Sequence, residues 1–404
     1  MKFLHFFKKK TFILPVISIL FAIFGNCYAA DTAIPIPSAS AAAPVANFAP
    51  AAPDFDVKAF ILIDANSGAI IAAKNPDEHL PPASITKLMS LYLIASSLKN
   101  GHLHLDDQVV ISENAWRMDG SRMFAKVGST ISAQELINGI IVASGNDATV
   151  AMAEHIAGTE QGFVNLMNQT AASLGLKDTH YEDSNGLPAN NHYSSARDIA
   201  ALARTWIATF PEYYPWFKQQ WIVYNKIKQP NRNRLLWRDP TVDGMKTGHT
   251  EDAGYCLVAS AVRNGTRLIS VVLGTPSDAA RTNDSEALLN YGFRFFETHK
   301  VFAANTRLTT SKIWLGKENK VDLGLKDNLY VTIPSGQYQN LKASVTLDKV
   351  IKAPLVQGQP CCGTVNISLD GKLLSTQPLV SLKDVPNAGS FSSLIDKMQL
   401  LFVN

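Results

Sequence analysis

Cysteine is scarce in this chain, with four in 404 residues. Cys27 lies in a basic-then-apolar N-terminal segment, and Cys256 sits inside an apolar run that reads as a strand, where a thiol behaves as a small buried hydrophobe. Cys361 and Cys362 are adjacent, a placement not expected to bridge easily, and the three left once Cys27 is set aside argue against a full disulfide framework. No His-Glu-x-x-His is present. His102-Leu-His104 has no obvious third ligand, which argues against a zinc peptidase, and no cofactor or metal is expected. Basic excess is missing too. The formal charge of +3 owes four lysines to residues 1–30, which hold no acid. Without them 33 basic residues face 34 acidic ones, so nucleic-acid binding is not indicated.

What is there begins with an export signal. Lys2 and Lys8-Lys9-Lys10 precede an apolar run from Phe12 to Phe24, then Ala29 and Ala30. A basic start, a short apolar stretch and a small-residue end describe a signal peptide over residues 1–30. The apolar run is short for a bilayer span. Asn26 stands where lipid attachment at Cys27 would call for a small residue. Residues 31–56, rich in Ala and Pro and poor in charge, read as a flexible or partly extended linker, with order starting near Val57.

From there the periodicities alternate. Ala59–Asp64 and Ala69–Ala72 flank a turn and predict a hairpin. Ser84, after Pro81-Pro82, starts a helical pattern through Leu88, Leu91 and Ile94. Ala133–Ile156 is helical with a break around Ser144-Gly-Asn146, and another helix runs from Ser194 or Ser195 to Thr209. Gly254–Val262 and Arg267–Leu273 flank Asn264-Gly265, a strong hairpin signal. A helix from Ser277 or Ala279 to about Glu297 closes a unit spanning 57–297. Residues 298–387 shift to short alternating segments, an all-β domain. In the tail at 388–404, Phe391, Leu394, Ile395, Met398, Leu401 and Phe402 form one apolar helical face. Either it docks on the β domain, or it lies in the plane of a membrane.

Three motifs carry chemistry. Ser84-Ile-Thr-Lys87 places a hydroxyl and an amine nearly one turn apart on one helix face. A lysine can take the serine proton if burial and a second cation lower its pKa. Lys246 could be that cation. Ser144 offers a hydroxyl relay and Asn146 an amide for a substrate carbonyl. Lys246-Thr247-Gly248 adds charge, a hydroxyl and a position where only hydrogen faces a ligand. Singly such motifs are weak: Ser96-Ser-Leu-Lys99 and Ser112-Glu-Asn114 fit as well. The ordered triple belongs to the penicillin-interacting serine enzymes.

With these residues in view, the chain resembles the low-molecular-mass penicillin-binding proteins, the serine D-alanyl-D-alanine carboxypeptidases. The likeness runs from about Ala59 to the C-terminus and includes Pro82-Ala-Ser-Ile-Thr-Lys-Leu-Met89, Ala143-Ser-Gly-Asn-Asp-Ala148 and Val242-Asp-Gly-Met-Lys-Thr-Gly-His-Thr250. The resemblance implies an α+β fold: a penicillin-binding/β-lactamase-like domain, its antiparallel sheet covered by helices, then a small all-β domain and a C-terminal amphipathic helix. It implies Ser84, Lys87 and Ser144 as catalytic groups, and Asn146, Lys246, Thr247, Gly248 and His249 as substrate contacts. The backbone N–H groups of Ser84 and His249 would be the oxyanion donors. Arg232 and Arg281 match positions that help recognise a D-alanine carboxylate. Implied partners are peptidoglycan stem peptides, β-lactams as covalent inhibitors, and the periplasmic face of the inner membrane through residues 391–402. Glu286-Ala-Leu-Leu-Asn290 copies a deacylating β-lactamase motif but follows the third motif instead of preceding it, so it reads as chance. A cross-link-cutting endopeptidase and a non-catalytic peptidoglycan-binding module are the alternatives.

Overall fold

The computed structural model describes residues 32–37 and 49–401. The expected signal peptide, with Cys27, and the tail residue Phe402 lie outside them, and Phe391 is placed only as helix backbone. A five-stranded antiparallel sheet anchors the larger unit, in the order Ile70–Lys74, Ala59–Asp64, Thr266–Thr275, Gly254–Arg263, Val242–Thr250. Strand residues alternate between faces, and both faces are covered. Ala59, Ile61 and Ile63 pack with the helical subdomain around Leu88, Leu91 and Phe163. Phe60 and Leu62 pack with Leu288 and Leu289 of the Asp278–Phe295 helix. Cys256 is a fully buried free thiol on the inner face, as its apolar neighbours led one to expect.

The second unit has its own core around Val321, Leu323, Val345, Val365 and Ile367. Its six-stranded sheet runs in the order Thr32–Ile34, Leu341–Leu347, Pro360–Leu369, Lys372–Ser381, Lys320–Gly324, Thr309–Lys312. The strand Phe296–Phe302 pairs with Leu329–Pro334 and enters this unit directly from the preceding helix.

Two expectations need correction. Order does not wait until Val57: within the partly extended linker, Thr32–Ile34 is an edge strand of the β domain. Ile34 and Ile36 supply apolar contacts that the Ala/Pro composition obscured, and Ala52 and Phe55 pack on the outer face of the catalytic sheet. Second, Cys361 and Cys362 do bridge each other. Cys362 adopts a left-handed backbone with φ of 76°, which departs from the extended geometry that sends neighbouring side chains to opposite faces.

The tail forms a helix over Ser390–Leu400. The Asp396 carboxylate accepts a hydrogen bond from the Leu315 backbone N–H at 2.6 Å, which holds the helix on the β domain by a polar residue. Leu394, Met398 and Leu401 point outward, 55%, 53% and 76% exposed. No helix among the described residues is long and apolar enough to cross a membrane.

The two units meet at a buried carboxylate. Asp64 accepts from the Ser67 N–H at 2.6 Å, the Ser67 hydroxyl at 2.8 Å and, across the domain boundary, the Thr298 hydroxyl at 2.8 Å. Asp64→Ala leaves the Ser67 N–H without its acceptor and the Ser67 and Thr298 hydroxyls with only Thr332 between them, and it is expected to lower stability by about 2 kcal/mol in urea unfolding.

Candidate active site

The turn that carries Ser84 is shaped by what surrounds it. Pro82 precedes a short 3-10 helix, Ala83–Thr86, which continues into the α-helix Lys87–Lys99. Ala83 has φ of 47°, a left-handed value for a residue with a side chain. Two glycines allow neighbouring backbone to come close to it. A Cβ on Gly186 would lie 1.8 Å from the Ala83 carbonyl oxygen, and one on Gly248 would lie 2.9 Å from that of Pro82.

Lys87 is fully buried one turn further on. Its amine lies 3.0 Å from Ser84 Oγ, 2.7 Å from Asn146 Oδ1 and 2.5 Å from the Asn185 carbonyl oxygen. Two of these neighbours can only accept. A neutral amine has two N–H bonds for the two carbonyl-type oxygens, which leaves its lone pair for the Ser84 hydroxyl. Burial is the main force holding the Lys87 pKa down, to about 7; the Asp183 carboxylate opposes that shift and the Arg232 guanidinium adds to it.

Ser144 and Asn146 come from a break in a buried helical run. A π-helical turn, Gly139–Ala143, ends at Ser144, whose φ of 57° is left-handed, and Asn146 opens the next helix. Such π turns recur at functional sites. Asn146 also donates from Nδ2 to the Asp119 carbonyl at 2.6 Å, so both ends of its amide are used. Asp147 beside it accepts from the Met123 and Ala125 backbone N–H groups at 2.9 and 3.0 Å. The loop holding Gly120 and Ser121 is thereby pinned over the site.

The third motif lies on the Val242–Thr250 strand. Lys246 is buried and donates to Ser144 Oγ at 2.9 Å and to the Thr247 carbonyl at 3.2 Å. Burial, reinforced by the Lys87, Arg232 and Arg281 charges, pushes its pKa well below the usual lysine value. An open cavity of about 360 Å³ is lined by Ser84, Ser144, Thr247, Gly248, His249 and Arg232, with Gly120, Ser121, Tyr255 and Arg281 completing its wall.

The expected residues therefore converge, with differences in reach. His249 is exposed and stacks on Tyr255, ring centroids 3.9 Å apart. Arg281 is largely committed to protein: Nη1 donates to the Gly248 and Cys256 carbonyls at 2.9 and 3.3 Å, and Nε and Nη2 donate to Asp278. Arg232 makes no hydrogen bond or ion pair among the described residues and faces the cavity mouth. The decoy motifs stay outside. Ser112 caps a helix through the Ala115 N–H, Lys99 donates to the Thr209 carbonyl, and Glu286 pairs with Arg238.

Sequence reasoning passed over the Asp183–Gly186 turn, whose Asn185 carbonyl touches Lys87 and whose Gly186 admits Ala83. Asn185-Gly186 followed by Pro188 is a turn signal, but nothing local ties it to a site. Gly120-Ser121 and Asp147 were likewise not singled out for the wall they build.

The family model for D-alanyl-D-alanine carboxypeptidases (Peptidase_S11) matches residues 46–277, and one for the C-terminal domain of penicillin-binding protein 5 matches residues 296–387. The chain belongs to the Peptidase S11 family of D-alanyl-D-alanine carboxypeptidases. It is 43% identical over 359 residues to the D-alanyl-D-alanine carboxypeptidase DacC of Escherichia coli, covering 87% of this chain and 90% of the relative. It is 44% identical to DacA of Haemophilus influenzae, covering 86% and 90%. The solved penicillin-binding protein 5 of Haemophilus influenzae superposes with a TM-score of 0.79 at 44% identity, covering 83% of this chain and 99% of that one. The α+β catalytic fold followed by a β domain is therefore that of the penicillin-binding protein 5 group. In this family member Gly186 is a sensitive point. Gly186→Ala meets both a positive φ of 90° and the Ala83 backbone, and it should lower the melting temperature and abolish covalent penicillin labelling.

Proposed function

We infer that this family member acts as a serine D-Ala-D-Ala carboxypeptidase on peptidoglycan stem pentapeptides, with Ser84 as nucleophile. The observation that carries the reading is the Lys87 amine, buried between two carbonyl-type acceptors with the Ser84 hydroxyl as its third neighbour. Neutral Lys87 takes the Ser84 proton as Oγ attacks the carbonyl carbon of the penultimate D-alanine. The backbone N–H groups of Ser84 and His249 stabilise the oxyanion. Ser144, held by Lys246, relays the proton that Lys87 took from Ser84 to the departing amine, which returns Lys87 to its neutral form, and the terminal D-alanine leaves. Water then attacks the acyl-enzyme, and the tetrapeptide is released.

Substrate contacts divide by availability. Thr247 lines the cavity and contacts the peptide, while Asn146, bonded to the Lys87 amine and the Asp119 carbonyl, keeps one Nδ2 hydrogen for a substrate carbonyl. Gly248 lets the peptide lie beside the strand as an added strand. Arg232, with its donors free of protein hydrogen-bond partners, is the group that meets the D-alanine carboxylate. Arg281, bonded to the Gly248 carbonyl, fixes the strand that Arg232 faces. β-Lactams enter by the same attack and remain as esters on Ser84.

Intact mass after penicillin exposure should show one adduct, mapped to the peptide holding Ser84 and absent in Ser84→Ala, with D-alanine released from pentapeptide by the untreated enzyme. No adduct and no D-alanine would overturn the reading. Because the base works unprotonated and its pKa is about 7, acylation should fall about tenfold per pH unit below that value and level off above it.

The membrane reading rests on the tail. Asp396 faces the β domain while Leu394, Ile395, Met398 and Leu401 are presented outward, as an in-plane helix on the periplasmic face of the inner membrane requires. Lys397 is the only cation of the helix, so binding relies on apolar area more than on lipid charge. Leu394→Asp with Met398→Asp should abolish co-sedimentation with phosphatidylethanolamine/phosphatidylglycerol vesicles and leave penicillin labelling in solution unchanged.

A further inference from the structure

The Leu341–Leu347 strand would be a seven-residue sheet edge without the segment that lies on it. Such an edge offers a row of unpaired backbone groups and is a template for another strand. The opposite edge of the same sheet is guarded differently, by a four-residue strand ending in Lys312. Here the cover comes from the chain itself. Thr32, Ala33 and Ile34 pair with Val345, Ser344 and Ala343.

The covering segment reads as a ligand for this edge. Ile34 and Ile36 pack against the β-domain core, while Ala33, Pro35 and Pro37 face solvent. That is the alternation a one-sided strand needs. Pro35 has no N–H to extend the ladder, so pairing stops after Ile34. The Tyr338 hydroxyl then closes the end by donating to the Pro37 carbonyl at 2.8 Å. Beyond it the chain settles on the catalytic unit, where the Tyr291 hydroxyl donates to the Pro50 carbonyl at 2.8 Å. Residues 32–37 precede the stretches matched by either family model, which begin at residues 46 and 296.

We propose that the Leu341–Leu347 edge is a strand-acceptor site for an extended apolar-alternating peptide, filled in cis by Thr32–Pro37. The chain thereby straps its β domain to its catalytic domain. The occupant is this chain's own segment because it has the side-chain alternation, the proline stop and the Tyr338 contact at one place.

The test uses the full chain with the double substitution Ile34→Asp and Ile36→Asp, which releases the strap without shortening it. A fluorescent peptide of residues 31–37 is titrated against both proteins, with far-UV circular dichroism checking that both are folded. A tethered strand acts at an effective concentration on the order of millimolar, so the peptide should bind the variant at least about tenfold more tightly than the unaltered protein. Equal binding to both, or none to the variant, overturns the proposal. A second measurement needs no destabilised strap: Ala33→Cys with Ser344→Cys, directly opposed residues, should oxidise to a link within one chain. No link, or a link between two chains, overturns the strap in cis.

Discussion

A lysine without access to water is the constraint around which the catalytic domain is organised. Burying an ammonium ion is costly unless its protons are matched or its pKa falls, and at Lys87 both happen. Asn146 and Asn185 supply acceptors from two different segments, and desolvation brings the pKa to about 7. The same feature makes Ser84 reactive, since only a neutral amine has a lone pair to offer it. Stability and chemistry thus make opposing demands on one side chain. The surrounding helices and the Asp183–Gly186 turn satisfy them by burying Lys87 completely.

Lys246 extends the arrangement. The Lys87 charge lowers the affinity of Lys246 for a proton, whereas the cation that lowers Lys87 is Arg232 and not the expected Lys246; each amine contacts one serine hydroxyl. Holding both requires the Val242–Thr250 strand to approach the Ser84 turn closely, which a side chain at Gly248 would prevent. It also requires a left-handed Ser144 at the end of a π turn, so that the hydroxyl lines the cavity while the Asn146 amide two residues on reaches Lys87. Arg281 serves this geometry by bonding the strand's carbonyl, while Arg232 faces the cavity without a protein hydrogen bond.

Outside the catalytic domain the recurring theme is the satisfaction of exposed edges and faces. The β domain is joined to the catalytic sheet through a buried carboxylate and two threonines. Its long edge is covered by the chain's own early residues. Its terminal helix turns a polar residue inward and an apolar stripe outward. These contacts set how the catalytic cleft is carried relative to whatever surface the helix meets.

Much of this was legible in residue order, for a physical reason. Serine and lysine three apart share a helix face wherever the helix sits, so Ser84 and Lys87 could be paired without knowing the fold. The break at Ser144-Gly145-Asn146 and the Asn264-Gly265 hairpin are likewise local, set by backbone preferences within a few residues. Tertiary structure alone decided what lies far apart in the chain. The Asn185 carbonyl meets Lys87 98 positions away, and Thr32–Ile34 finds its partner strand near the other end of the molecule. Two isoleucines in an Ala/Pro-rich stretch carry no signal until a sheet edge exists to receive them, and adjacent cysteines pair only once the backbone at Cys362 turns left-handed. Spacing encodes neighbours along one element; packing alone brings elements together.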